Sequence, residues 1–278
     1  QQNKPYSEIL TAPYTMVSAH TAQIYQTGLT PLNGAFLPAI NKGQALSGSQ
    51  DYEPSRNWAA SRQLIMPHAG VLTSTGFLQH YASSATNRNR ARARWTYQHF
   101  LGVDIDKIAP NDIDASTLRD PNNAVLNNSA CSVCHINLDP VAGAFQNFGD
   151  LGLYRQRGFG LNALSEGYLH SKAYKPEEIW YFDMRAPGFE GQTITDQEDS
   201  LGKLAHIIVN DERFASATVK FWWPAIFGEK MLDDSLTAEQ YDAKLQTLNT
   251  LAQQFKESGF NFKSLLADML MSRWFRGR

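Results

Sequence analysis

A mainly α fold with long irregular loops and little or no sheet is predicted by two observations. The last third of the chain carries apolar residues at helical spacing in four successive segments. Upstream, shorter helical patterns are separated by stretches rich in Gly, Pro, Asn and Ser. In chain order, Tyr14 to Tyr25 reads as a helix, because Met16, Ala19, Ile24 and Tyr25 can share a face. Residues 27–60 read as loop. Gly70 to Tyr81 reads as a helix with Val71, Leu72, Phe77 and Leu78 apolar, and Thr86 to Leu101 as a stronger one ended by Gly102.

Residues 103–130 look loop-like, with Pro110 and Pro121 among several Asn and Asp. Asp139-Pro140 is expected to open a short helix through Phe148, since proline suits the first helical turn. Residues 150–198 look irregular. Ser200 to Val209, Arg213 to Phe227, Thr237 to Glu257 and Phe262 to Arg273 then read as amphipathic helices. In the third, Tyr241, Leu245, Leu248, Leu251 and Phe255 follow helical spacing and are expected in the core. The expected organisation is an N-terminal helical region (1–110), a cofactor-binding segment (111–198) and a C-terminal helical region (199–278), packed as one compact unit.

Composition narrows the function classes. Hydrophobic residues make up 42% of the 278, enough for a substantial core. No run of 18 or more apolar residues occurs, so no transmembrane segment is expected. A net charge of −2 gives no electrostatic case for nucleic acid as a partner. The N-terminal QQNKPYSEIL has no signal-peptide core.

The chain has 2 cysteines, Cys131 and Cys134, and both lie in SACSVCHI beside His135. A disulfide between them would close a very small loop and stabilise little. Zinc needs three or four ligands, and no second Cys pair exists. A thioredoxin-type pair needs a βαβ pattern nearby, and none is visible. Cys-x-x-Cys-His is the signature of covalent c-type haem attachment. Two cysteines one helical turn apart can form thioethers to the vinyl groups on one haem edge, and the next residue projects its imidazole to the iron. One covalently attached haem c is therefore expected, with a bare redox or disulfide pair as the alternative. Such haem is attached outside the bacterial cytoplasm, so the chain is expected to be exported, its leader already removed.

The surrounding residues carry a resemblance. CSVCHINLDPVAGAFQNFGDLGLYR (131–155) resembles the haem segment of planctomycete-type cytochrome c proteins, multi-domain proteins of unknown function. Cys131, Cys134, His135, Leu138, Asp139, Pro140, Phe145, Phe148, Gly152, Tyr154 and Arg155 fit the pattern, while Gln146 and Gly149 replace its usual Glu and Asp. KPYSEILTAPYTMV, GVLTSTGFL, RARWTYQHFLG and the closing SGFNFKSLLADMLMSRWFRGR are similar to further family segments in the expected order. Where the family has R-T-S-P-V-x-R-G, this chain reads ATNRNRARAR. The resemblance implies a helical c-type cytochrome in the periplasm or outside the cell, and no settled activity.

The second axial position separates carrier from enzyme. Electron carriers fill it with Met or His, whereas an open position admits peroxide or another small molecule. Met184, in an irregular stretch about 50 residues after His135, is the leading distal candidate and His170 the alternative. His20, His68, His80, His99 and His206 are weaker candidates. Met16, Met66, Met231, Met269 and Met271 read as core residues.

Arg155, inside the haem motif, is the candidate for a haem propionate. Arg88, Arg90, Arg92 and Arg94 read as a solvated helix face, with a propionate clamp or a docking patch for an acidic redox partner as the functional alternative. Trp95, Trp180, Trp222, Trp223 and Trp274 could line a haem pocket or fill the core.

Three functions are carried forward. One is an exported monohaem cytochrome passing single electrons between redox partner proteins. The second is a haem enzyme, peroxidase- or oxygenase-like, with an open distal position. The third is a haem-bearing subunit of a homo-oligomer or larger extracytoplasmic complex.

Overall fold

The computed structural model describes residues 4–25, 36–40, 67–84, 87–107, 129–149, 152, 154, 186–196 and 199–276. Ten α-helices and two short antiparallel strand pairs occur among them, so the fold is mainly α as predicted. No helix among the described residues is long and apolar enough to cross a membrane. The chain divides into two compact units. One comprises Ile9–Ala93 and Ala109–His206; the other comprises Gln1–Glu8, Arg94–Ile108 and Ile207–Arg278.

In the first unit, helix α1 (Glu8–Thr11) leads into strand β1 (Tyr14–Val17), which pairs antiparallel with β2 (Leu37–Ile40). The register sets Tyr14 opposite Ile40 and Val17 opposite Leu37. The helix expected over Tyr14–Tyr25 is thus shorter than predicted. Tyr, Thr and Val favour extended backbone, and helix α2 (Ala19–Ile24) begins only after Ser18. Ser18 Oγ accepts from the Thr21 amide at 3.3 Å, and Thr21 Oγ1 accepts from the Ser18 amide at 2.8 Å. This reciprocal cap fixes the start of the helix. Strand β2 likewise corrects part of the stretch read as loop.

The predicted helix from Gly70 to Tyr81 is divided at Ser74. A 3₁₀ turn (Gly70–Thr73) is followed by α3 (Thr75–His80), whose first turn is capped by Ser74 Oγ, accepting from the Phe77 amide at 3.2 Å. Gly70 sits at φ +52°, and a Cβ there would overlap the Ile9 carbonyl oxygen. Helix α4 (Arg90–Leu101) starts later than Thr86 because Arg88 and Asn89 hold positive φ, of 47° and 67°. It ends at Gly102 (φ +66°) as predicted.

The largest correction concerns α5 (Ser129–Ala144), which runs straight through Pro140. Asp139-Pro140 does not open a helix; it lies in the last two turns of one already formed. Proline removes one intrahelical hydrogen bond, leaving the Ile136 carbonyl without that partner. Pro140 is on the outer side of the helix, where Ile136 is 51% exposed. After α5, Phe145 is fully buried and stacks on Phe77 with ring centroids 6.2 Å apart. A tight hairpin joins β3 (Gly188–Phe189) to β4 (Gln192–Thr193). Helix α6 (Ser200–Asn210) buries Leu201, Leu204, Ala205, Ile208 and Val209, one apolar stripe. Ser200 Oγ donates to the Ala144 carbonyl at 2.8 Å, tying α6 to the end of α5.

The second unit is built around α7 (Arg213–Phe227), α8 (Ala238–Glu257), α9 (Phe262–Met271) and α10 (Arg273–Arg276). Its core joins Val219, Trp223, Phe227, Leu248, Leu251, Phe255, Leu265 and Met269, each side chain contributing about 1.5–3 kcal/mol by burial. Trp222 and Trp274 pack against this cluster, so three of the five candidate tryptophans serve the core. Tyr241, at the start of the predicted stripe, is instead 41% exposed. Side-chain caps start two of these helices: Thr237 and Gln240 form a capping box on α8, and Asn261 Oδ1 accepts from the Lys263 and Ser264 amides on α9. Tyr6 belongs to this unit, stacking on Phe262 at 5.1 Å and accepting from Trp222 Nε1 at 3.0 Å.

Candidate functional site

Helix α5 carries the cysteine motif on one face. At about 100° per residue, Cys134, Cys131 and His135 fall within an arc of about 100°. Leu138 and Ala142 lie on the same side. Cys131 is 6% exposed, Leu138 8% and Ala142 buried, so this face points into the unit. Cys134 and His135 are half-buried, and the two thiols are not joined in a disulfide. A cleft of about 520 Å³ lined by Ile136, Asn137, Pro140 and the β3–β4 hairpin borders the opposite face of α5. It is therefore not the space the motif faces.

His135 does not stand alone. Its Nδ1 lies 2.9 Å from Asp139 Oδ1, one helical turn on. The same Oδ1 accepts from Arg90 Nε at 2.7 Å, and Oδ2 accepts from Arg90 Nη2 at 3.1 Å. This is a bidentate guanidinium–carboxylate pair reaching from α4 to α5. The Asp139 side chain is 0% exposed, Arg90 14% and His135 20%. Burial alone would push the Asp139 carboxyl up. The hydrogen bonds from His135 and Arg90, with the Arg90 charge, outweigh burial and hold it below the ordinary carboxylate value. An ionised carboxylate only accepts hydrogen bonds, so the proton between the two side chains is assigned to His135 Nδ1. A neutral imidazole protonated there presents Nε2 as its lone-pair donor.

Arg88, Arg90 and Arg92 are turned inward, which corrects the reading of a solvated face for these three. Arg90 holds Asp139. Arg92 is 0% exposed and donates to the carbonyls of Leu78 (3.0 Å), Tyr81 (3.1 Å), Phe148 (2.9 Å) and Gly149 (2.9 Å) and to Asn89 Oδ1 (2.8 Å). Arg94 pairs with Asp104 at 3.2 Å, and Arg88 is 6% exposed. The residues that follow the cysteine motif are positioned by the same scaffold. Phe148 bridges to Tyr154, and Gly152 (φ +76°) lies so close to α3 that an added Cβ would be 2.8 Å from Leu78 Cβ.

Other candidates are dispersed. Arg155, Met184 and His170 lie outside the described residues, as do Met66 and Trp180. His20, His80 and His206 are exposed. His68 is 6% exposed, with Nδ1 2.8 Å from Thr73 Oγ1. His99 stacks on Trp95 at 5.2 Å. Met231 and Met269 belong to the core, whereas Met16 and Met271 are 47% and 63% exposed, against the expectation that they are buried. Sequence reasoning passed over the Arg90–Asp139–His135 chain. Its signal was the i,i+4 spacing of His135 and Asp139, hidden by starting a helix at Asp139-Pro140.

The residues fit a covalently held haem. Two thiols one turn apart face the same way, and His135 has its Nδ1 engaged and Nε2 left for iron. Among the described residues no three His, Cys, Asp or Glu side chains group to hold a bare metal ion.

No curated protein and no solved structure matches the chain. Residues 68–158, about a third of the chain, match the family described as PSCyt3, protein of unknown function (DUF1588). That segment, which contains α3, α4, α5 and the cysteine motif, is thus similar to a planctomycete cytochrome c-type domain family of unknown function.

Proposed function

We propose that the chain is an exported monohaem c-type cytochrome carrying single electrons between redox partner proteins. The supporting observation is the shared inward face of Cys131, Cys134 and His135, with His135 Nδ1 taken by Asp139. In this reading the two cysteines hold the haem edge through thioethers and His135 Nε2 is the proximal ligand. The bound haem supplies an iron centre that changes oxidation state by one electron. The chain anchors it, orients its ligand and lowers the surrounding dielectric. Met184 is the proposed distal ligand, with His170 as the alternative, and Arg155 the partner of a propionate. Because covalent haem is attached outside the cytoplasm, the proposed location is the periplasm or the cell exterior.

A second reading, a haem enzyme with an open distal position, draws on the buried carboxylate behind His135. An electron-rich proximal ligand also suits oxidative chemistry at an open iron. Absorption spectra of the oxidised protein, with and without cyanide or peroxide, separate the two. A low-spin spectrum indifferent to both supports the carrier. A high-spin spectrum that responds rapidly supports the enzyme and rejects the carrier.

A further inference from the structure

We propose that Asp139 and Arg90 act as an opposed charge pair behind His135, Asp139 lowering and Arg90 raising the reduction potential of the iron that His135 holds. The inference rests on the haem reading above and concerns how this chain tunes that site.

Asp139 Oδ1 is shared between His135 Nδ1 at 2.9 Å and Arg90 Nε at 2.7 Å, while Oδ2 takes Arg90 Nη2 at 3.1 Å. The carboxylate is fully buried, and its charge is expensive to bury unless paired. In such surroundings charges also interact more strongly than in water. A carboxylate behind a metal-bound imidazole fixes the ring's tautomer and orientation and raises its basicity. More electron density then reaches the iron, which favours the oxidised state. Arg90 draws on the same oxygen atom. It restrains how far the Nδ1 proton leans towards Asp139, and its positive charge favours the reduced state.

Asp139 and Arg90 are thus positioning residues with opposite electrostatic signs. Asp139→Asn keeps an acceptor of similar shape but removes the negative charge. Arg90→Gln keeps a donor but removes the positive charge. A merely structural pair, in which either loss loosens His135, would move the potential in the same direction in both variants.

The test uses the full chain matured with haem, titrated potentiometrically and followed by haem absorption. Asp139→Asn should shift the reduction equilibrium about tenfold towards the reduced form, about 59 mV for a one-electron couple. Arg90→Gln should shift it towards the oxidised form, and Arg90→Lys should return it towards the parent value. Shifts of the same sign, or no shift in either variant, overturn the inference while covalent haem in the parent leaves the haem reading standing. A parent chain without covalent haem overturns both. If Asp139→Asn does not accumulate as folded protein, Arg90→Gln and Arg90→Lys decide alone. A fall restored by lysine supports the pair, and any other result overturns it.

Discussion

Arg92 donates from Nη1 to the carbonyl of Phe148 at 2.9 Å, joining α4 to the turn that follows α5 across 56 residues of sequence. Its second terminal nitrogen bonds Gly149 and Leu78, and its Nε bonds Tyr81. Leu78 and Tyr81 lie at the C-terminal end of α3, where helix carbonyls lack intrahelical donors and a positive charge is favourable. One buried guanidinium therefore fixes three chain segments around the candidate site.

Replacing it by a neutral side chain of similar length strands four backbone carbonyls. Arg92→Met is expected to cost about 3–5 kcal/mol of unfolding free energy. Arg92→Lys should recover only part, because an ammonium has three donors on a flexible stem and lacks the planar fork. Urea unfolding of the three proteins measures this. A loss below about 1 kcal/mol in Arg92→Met would remove the scaffold role.

Two glycines with positive φ separate backbone strain from steric contact. Gly191 (φ +89°) has nothing within 4 Å of an added Cβ, so Gly191→Ala should cost only about 1–2 kcal/mol. Gly70 adds a direct overlap with the Ile9 backbone. Gly70→Ala should therefore lower the midpoint of thermal unfolding clearly more than Gly191→Ala. Equal shifts would contradict the close approach of the 3₁₀ turn to α1.

His68 makes stability depend on pH. Burial pushes its pKa down from 6.5 to about 4. As pH falls below about 6.5 the unfolded chain takes up this proton while the folded chain does not. The contribution is fully present above that pH and is lost as pH falls towards about 4, a difference of about 3 kcal/mol. Unfolding free energies at pH 7 and pH 4.5 should differ less in His68→Gln than in the parent. An equal difference would show that His68 is not the group responsible.

Much of this was legible in the sequence, for physical reasons that differ by region. Helices α6 to α9 form from their own apolar stripes, with side-chain caps starting α8 and α9, so Leu204, Ile208, Leu248, Leu251 and Phe255 announce their burial by spacing alone. Residues 14–25 misled because Met16, Ala19 and Ile24 can share a helical face while Tyr14–Val17 finds its strand partner in Leu37–Ile40. Pro140 read as a helix start because local rules put proline there; contacts made elsewhere on α5 carry the helix through it. The arginines at 90, 92 and 94 look like a solvated face in one dimension. Apart from Asn89, a local partner of Arg92, their acceptors lie between 10 and 57 residues away, and only the folded chain brings them together. Cys131, Cys134 and His135 stand out in one dimension because the chemistry proposed for them depends on local spacing, whereas Asp139 is a partner of His135 only on a continuous α5.

The most direct measurement is the mass of the denatured chain after maturation in a host that assembles c-type haem. The account predicts a chain heavier by one haem, with the haem retained in acid-acetone, and loss of that retention when Cys131 and Cys134 are both replaced by Ala. A chain at the mass of the polypeptide alone, with haem absent or released by acid-acetone, would contradict it.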